Sequence, residues 1–283
     1  MQKKQIVYEP NMRAKLGFTR TIILMIKNII EYRELIYQLF KRDFLMSYKK
    51  SFLGLSWILI APIFGIISWV FMNSTGILAP GDVGIPYPAY VLLGSSLYGL
   101  FMGFFTSASA TLNAGTGFIL QVNFPHDILL FKQAMQQFVS FLISFILTIF
   151  VLMLFGVFPS FMLLILPILV LPLFFLGAAI GLLSSIISVV AVDIQKGIEF
   201  LMGLVMFVTP VIYSNNISNP SLQLIIKYNP LTYLISGVRD ALIYGSIPNI
   251  EIFMYASLGS FLFFLLALRL FFLSEHKIIE KML

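Results

Sequence analysis

Residues 133–192 read QAMQQFVSFLISFILTIFVLMLFGVFPSFMLLILPILVLPLFFLGAAIGLLSSIISVVAV, 60 positions without one Asp, Glu, Lys or Arg. A straight helix of that length would reach about 90 Å, three times the roughly 30 Å hydrocarbon core of a bilayer. The run must therefore fold back on itself. Gly156-Val157-Phe158-Pro159-Ser160 supplies the turn, with glycine and proline at its breaking points. Two membrane spans are predicted on either side, at roughly 134–156 and 161–191.

Four more charge-free runs, 51–81, 83–126, 200–226 and 252–268, lie outside this stretch. They place spans at roughly 52–73, 88–112, 198–213 and 251–273. The predicted fold class is an all-α integral membrane protein. It has six transmembrane helices, an N-terminal amphipathic interface helix and external re-entrant helices. The 283-residue chain is 59% hydrophobic and only 11% charged, against about 25% charged in soluble domains, which excludes an ordinary water-soluble enzyme. It has no cysteine, hence no disulfide, thiolate metal site or cysteine nucleophile. His126 and His276 have no metal-ligand spacing, so no metal site is expected.

Charge divides the chain in two. Residues 1–50 hold eleven of the eighteen Lys/Arg and four of the twelve Asp/Glu, whereas residues 51–283 are close to neutral. Residues 1–50 are read as a cytoplasmic basic segment and 51–283 as the six-helix transmembrane domain. A basic head on a membrane body points to anionic lipid rather than nucleic acid. Charges recur through Met1–Lys50 with no clean apolar core, so no signal peptide is expected. Arg20, Lys27, Glu31, Glu34, Gln38 and Lys41 form one helical stripe, with Ile22, Ile26, Ile29, Ile30, Ile36, Leu39 and Phe40 over much of the remainder. This predicts an amphipathic helix lying in the membrane interface. Basic residues near span ends stay inside, and six spans return the chain, so both termini are expected in the cytoplasm.

Two connections stand out. Residues 113–133 are expected to be cytoplasmic and carry a short helix between Asn113-Ala114-Gly115 and Asn123-Phe124-Pro125. Residues 214–250 are expected outside. Their apolar pieces Leu222–Ile226 and Leu231–Ile235 are too short to span and read as re-entrant or interfacial helices.

No catalytic constellation is present: Asp82, Asp127, Asp193 and Asp240 fall in loops or at predicted span ends. No phosphate-cradling P-loop occurs, so ATP, if it drives the protein, binds another polypeptide. The absence of intramembrane charge argues against a proton or sodium pump. Gly177-Ala178-Ala179-Ile180-Gly181 is a small-residue helix-packing motif, and Pro167 and Pro172 mark kinks. Tyr98, Phe101 and Phe105 form a stripe, and Phe200, Phe207 and Tyr213 fall on or beside the fifth span. Such rings either pack the core or offer faces to sugar rings, in the way aromatics stack nucleobases without reading their order.

Arg42-Asp43, Tyr48-Lys49-Lys50-Ser51-Phe52-Leu53-Gly54-Leu55-Ser56-Trp57 and Pro62 together resemble the lead-in to span one of permease subunits of bacterial polysaccharide ABC exporters. Phe124-Pro125-His126-Asp127 is similar to that family's coupling loop, and Asp193-Ile194-Gln195 to its second cytoplasmic loop. Thr209-Pro210-Val211-Ile212-Tyr213 and Tyr228-Asn229-Pro230-Leu231 resemble its outer region. The motifs fall in the family's order over about residues 30–275. Ser47 and Val192 stand where the family often has basic residues, so at those two points the resemblance does not carry over the family's local ion pairs.

The resemblance implies a non-enzymatic, homodimeric permease in the bacterial inner (plasma) membrane, paired with two copies of a separate ATPase. ATP and Mg would be held by that partner, and this chain would bind no cofactor. The cargo would be lipid-linked polysaccharide: O-antigen or related lipopolysaccharide, alternatively teichoic acid or capsule. A small-lipid or drug efflux permease would share the fold. Trp57, Tyr98, Phe101, Phe105, Phe207 and Tyr213 are the expected substrate path. Phe124, Pro125, His126, Asp127 and Asp193 are the expected ATPase coupling residues. Arg239, in the external region, would meet an anionic group, a lipid phosphate or Asp240.

Overall fold

The structure, a computed structural model, describes residues 17–49, 52–111, 127–188, 191–215 and 220–282. Among the described residues all regular structure is helical. In chain order the helices are α1 (Phe18–Glu31), α2 (Arg33–Lys49), α3 (Trp57–Ser74), α4 (Tyr87–Ser109), α5 (Asp127–Leu154), a short α6 (Leu166–Leu169), α7 (Leu171–Ser188), α8 (Val192–Val205), α9 (Pro220–Tyr228), α10 (Pro230–Tyr244) and α11 (Ile250–Met282).

Among the described residues four segments are long and apolar enough to cross a membrane: Tyr87–Ser109, Ile128–Leu154, Phe161–Ser188 and Ile250–Ser274. The other two predicted spans are shorter. The apolar part of α3 is Ile60–Ser74. The helix expected to run to residue 213 stops earlier: α8 passes into a 3-10 turn, Met206–Val208, and Thr209 is extended at φ −117°, ψ 134°. Pro210 is the cause. Its ring disfavours helical backbone at the preceding residue, and it has no N–H to continue the ladder.

The fold-back at residues 156–160 is as expected from the sequence. Gly156 takes φ +76°, a left-handed conformation glycine reaches without a Cβ clash. Ser160 then pins the turn: its Oγ donates to Ala241 O at 2.7 Å and accepts from Met162 N at 3.1 Å. Pro167 and Pro172 each fall near the start of a helical segment, so the span is divided there rather than bent in mid-helix.

The core is built around α4, whose Leu92, Leu93, Leu97, Phe101 and Phe105 are wholly buried. It lies most closely against α7. A Cβ on Gly177 would come 2.5 Å from the Phe101 carbonyl oxygen, and one on Gly181 would come 2.7 Å from the Ala108 Cβ. The small-residue motif is therefore a real seam at which two backbones approach. In a lipid environment such packing replaces the hydrophobic drive that water would supply. On its other side α7 meets α11 through rings, with Phe175 5.1 Å from Phe261 and 5.4 Å from Phe264.

The N-terminal amphipathic stretch is two helices separated at Tyr32, both lying against α5. In α1, Thr21 and Asn28 are buried, and Arg269 Nη1 of α11 donates to Thr21 Oγ1 at 3.4 Å. Ile23, Ile26 and Ile30 occupy an uncovered apolar face. In α2, Ile36 and Leu39 pack on Ile128 and Leu129 at the start of α5.

Candidate functional site

Three places collect the motifs: the aromatic positions around α3, α4 and α8, the bend after α8, and the polar junction of the C-terminal ends of α4 and α7 with the start of α8.

The aromatic candidates separate into two groups. Phe101 and Phe105 are wholly buried at the α4–α7 seam, and Tyr98 is nearly so, its hydroxyl donating to the Met202 carbonyl. In this conformation their rings face protein and serve packing. Trp57 (46% exposed) and Phe207 (51% exposed) present open surface. Phe207 meets the edge of Trp69 of α3, with centroids 6.3 Å apart and planes at 68°. Trp69 did not emerge from the sequence reading, since the stripe on α4 took precedence.

Tyr213 belongs to a buried, non-helical segment, Thr209–Tyr213. Backbone without a helix costs heavily at membrane depth unless protein satisfies its polar groups. Here side chains do so. Tyr87 donates to Ile212 O at 3.0 Å and Tyr90 to Tyr213 O at 2.8 Å. Asn229 Nδ2 donates to Val208 O at 3.2 Å and Thr209 Oγ1 at 2.8 Å, while its Oδ1 accepts from Leu231 N and caps α10. Arg239 Nη1 donates to Pro210 O at 3.0 Å. Gly94 makes the approach possible: a Cβ there would lie 2.5 Å from Val211 O. The outer motifs Thr209–Tyr213 and Tyr228–Leu231 are thus two halves of one clasp.

Of the partners expected for Arg239, the structure supplies Asp240. The arginine is buried, its guanidinium lies 4.0 Å over the Tyr90 ring, and its Nε is 4.0 Å from Asp240. Its work is internal, in a cation–π stack and a carbonyl contact.

At the other end, Gln195 of the Asp193-Ile194-Gln195 motif is buried. Its Nε2 donates to Ser109 Oγ at 2.8 Å and Glu199 Oε1 at 3.1 Å, and Ser109 Oγ donates to Ser184 Oγ at 3.2 Å. The glutamine ties α8 to α4 and α7. Asp193 stays exposed in the first turn of α8, where a carboxylate suits the helix dipole. Phe124, Pro125 and His126 lie outside the described residues, and α5 begins at Asp127. Nearby, Lys132 Nζ meets Asp43 Oδ2 at 2.7 Å. Burial alone would raise the Asp43 carboxyl, but hydrogen bonds and charge from Arg42 and Lys132 hold it below its ordinary value. Among the described residues no three His, Asp or Glu come together as a metal site.

A family model described as ABC-2 type transporter matches residues 34–243, from α2 to α10. The chain belongs to the ABC-2 type transporter family. It is 22% identical over 233 residues to the O-antigen export system permease protein RfbA of Myxococcus xanthus, covering 81% of this chain and 88% of that protein. Two Klebsiella pneumoniae proteins of the same name are similar at 22% identity over 83% of this chain and 85% of theirs, and at 21% identity over 92% and 94%. As an ABC-2 family member with four long apolar helices, the chain is a multi-pass membrane protein and a transporter permease subunit. The family match takes in the clasp, the α4–α7 seam and the Asp43–Lys132 pair, and leaves out α1 and α11.

Proposed function

We propose that this chain is the transmembrane permease subunit of an ATP-driven exporter. It moves lipid-linked polysaccharide, O-antigen or a related glycan, from the cytoplasmic to the outer side of the bacterial inner membrane. The carrying observation is that three relatives named O-antigen export permeases align over 81% to 92% of the chain, on top of the family match. The chemistry is consistent with this reading. Bulky cargo needs a wide, weakly binding path, and the chain's spans carry aromatic, small and hydroxyl side chains rather than an acid–base constellation.

In this proposal two copies form the path and two copies of a separate ATPase, holding ATP and Mg, drive it. Residues 51–283 are the permease domain with six spans, α3 and α8 being the short ones. Residues 1–50 stay cytoplasmic, with α1 lying in the interface on Ile23, Ile26 and Ile30. α9 and α10 are external re-entrant helices. Trp57 and Phe207 offer ring faces to cargo, while Tyr98, Phe101, Phe105 and Tyr213 hold the wall from behind. Phe124, Pro125, His126, Asp127 and Asp193 receive the ATPase stroke.

The test is complementation. The chain, expressed with its ATPase, is introduced into a strain whose own O-antigen permease is deleted and whose glycan pathway is matched to it. Long-chain polysaccharide should return to the cell surface. Intracellular accumulation of lipid-linked polymer despite normal assembly would reject the proposal. Phe124→Ala should lower export per ATP hydrolysed, and unchanged coupling in an assembled variant would remove Phe124 from that role.

A further inference from the structure

Halfway along α3, α4 and α5 lies a cleft of about 390 Å³, lined by Pro62, Gly65, Trp69, Ser95, Ser96, Gly99, Gln137, Ser140 and Ser144 among others. Its size falls at the lower end of ligand pockets. Its depth is notable: α3 runs from residue 57 to 74, α4 from 87 to 109 and α5 from 127 to 154, so the lining residues cluster near the middle of each. The middle of a span is where polar groups are dearest.

Five side chains of the lining carry hydroxyl or amide groups, and none is charged. Ser96 is paired with Thr148 at 2.8 Å, and Ser95 donates to its own helix at Leu92 O. Gln137 and Ser140 have no hydrogen-bond partner among the described residues. Leaving an amide without a partner in hydrocarbon costs about 2–7 kcal/mol depending on the reference state, so this surface is built to meet something polar. The lining holds no cation to pair with a phosphate and no carboxylate to hold a metal ion. The amide and hydroxyls are the wrong chemistry for an acyl chain.

The glycines give an independent argument. Gly177 and Gly181 are glycine because a neighbour leaves no room for a Cβ. Gly65 and Gly99 have no atom within 4 Å of where a Cβ would stand. In a helix each costs about 1 kcal/mol relative to alanine. Packing within the chain does not require them, and both border the cleft, where a side chain would take up its space. Trp69 closes one side with an apolar ring.

We propose that this cleft binds an uncharged sugar segment, with hydroxyls on Gln137, Ser140 and Ser96 and a ring face near Trp69. Alternating hydroxyl edges and apolar faces are the chemistry that neutral glycans present, and sequence-tolerant stacking suits a polymer that must move on. The proposal rests on the glycan-export reading, and its experiment does not use export.

The complex with its ATPase is purified in lipid nanodiscs with 5-fluorotryptophan, and the resonance lost in Trp69→Phe is assigned to Trp69. Titration with maltoheptaose, a neutral glucan, should shift that resonance saturably. Gly99→Leu adds bulk at a cleft position whose Cβ meets no protein atom and should raise the half-saturating concentration about tenfold or more. Gly259→Leu, on α11 and also in open space, should leave it unchanged. No saturable shift, or equal binding in Gly99→Leu, overturns the proposal. A Trp69 signal that follows protein dilution rather than glucan makes the cleft a contact between copies and also overturns it. If complementation succeeds while the titration fails, the cleft assignment falls and the export reading stands.

Discussion

Asp43 and Lys132, 89 positions apart in sequence, meet at 2.7 Å and fasten α2 to the first turns of α5. The lysine is largely buried, whereas the carboxylate keeps partial access to solvent and also receives Arg42. A double-mutant cycle of Asp43→Asn and Lys132→Met should return a coupling of about 0.5–3 kcal/mol, the range for residues in direct contact. Because the folded Asp43 value lies below the ordinary one, its contribution is complete above about pH 4 and is lost as pH falls through the lowered value. The protection of α2 amides, corrected for the intrinsic pH dependence of exchange, should therefore fall in acid and stay constant through neutrality. Protection insensitive to both acid and Asp43→Asn would remove the pair from α2 docking.

Topology can be read with single cysteines, since the chain has none of its own. Cysteines at Asn123 and Lys196 should resist an impermeant reagent added outside intact cells, and one at Gly81 should react. External labelling at Asn123 would reverse the orientation argued from the basic N-terminal segment.

The α4–α7 seam should tolerate loss of rings better than gain of bulk. Gly181→Leu forces a side chain into the α4 backbone and should destabilise by about 1–3 kcal/mol or more. Phe101→Leu and Phe105→Leu retain apolar bulk and should lower the thermal midpoint modestly while export persists. Failed export in a stably assembled Phe101→Leu/Phe105→Leu variant would mean that these rings turn toward cargo during transport.

Arg239 should resist conservative replacement. Arg239→Lys keeps the charge but loses the planar fork that reaches Pro210 O while lying over Tyr90. Both Arg239→Lys and Arg239→Met should cost about 1.5–3 kcal/mol, the range for hydrogen bonds to charged groups. Near-wild-type denaturation of the lysine variant would show that charge alone suffices.

The backbone plan was legible where a simple signal stood alone. Sixty uncharged residues had to turn, and Gly156–Ser160 was the place. The early end of α8 was also written, in Pro210, but the apolar run around it outweighed one residue. The aromatic stripe shows the limit of periodicity. Steps of three and four put Tyr98, Phe101 and Phe105 on one face, yet a helix apolar all round does not say which face meets the core. Gln133, Gln137, Ser140 and Ser144 recur at four, three and four on α5 and mark its polar side, a weaker signal than the rings and the more informative one. Partners such as Tyr90 and Arg239 are brought together only by the closed fold.

The clasp around Thr209–Tyr213 also bears on how the protein is made. Tyr87 and Tyr90 emerge from the ribosome well before the segment they hold, but Arg239 follows Pro210 by 29 residues. A chain that ends before Asn229 keeps the two tyrosines but lacks the amide that meets Val208 O and Thr209 Oγ1 and the guanidinium that meets Pro210 O. Completion of α10 is thus the step that satisfies the bend in full.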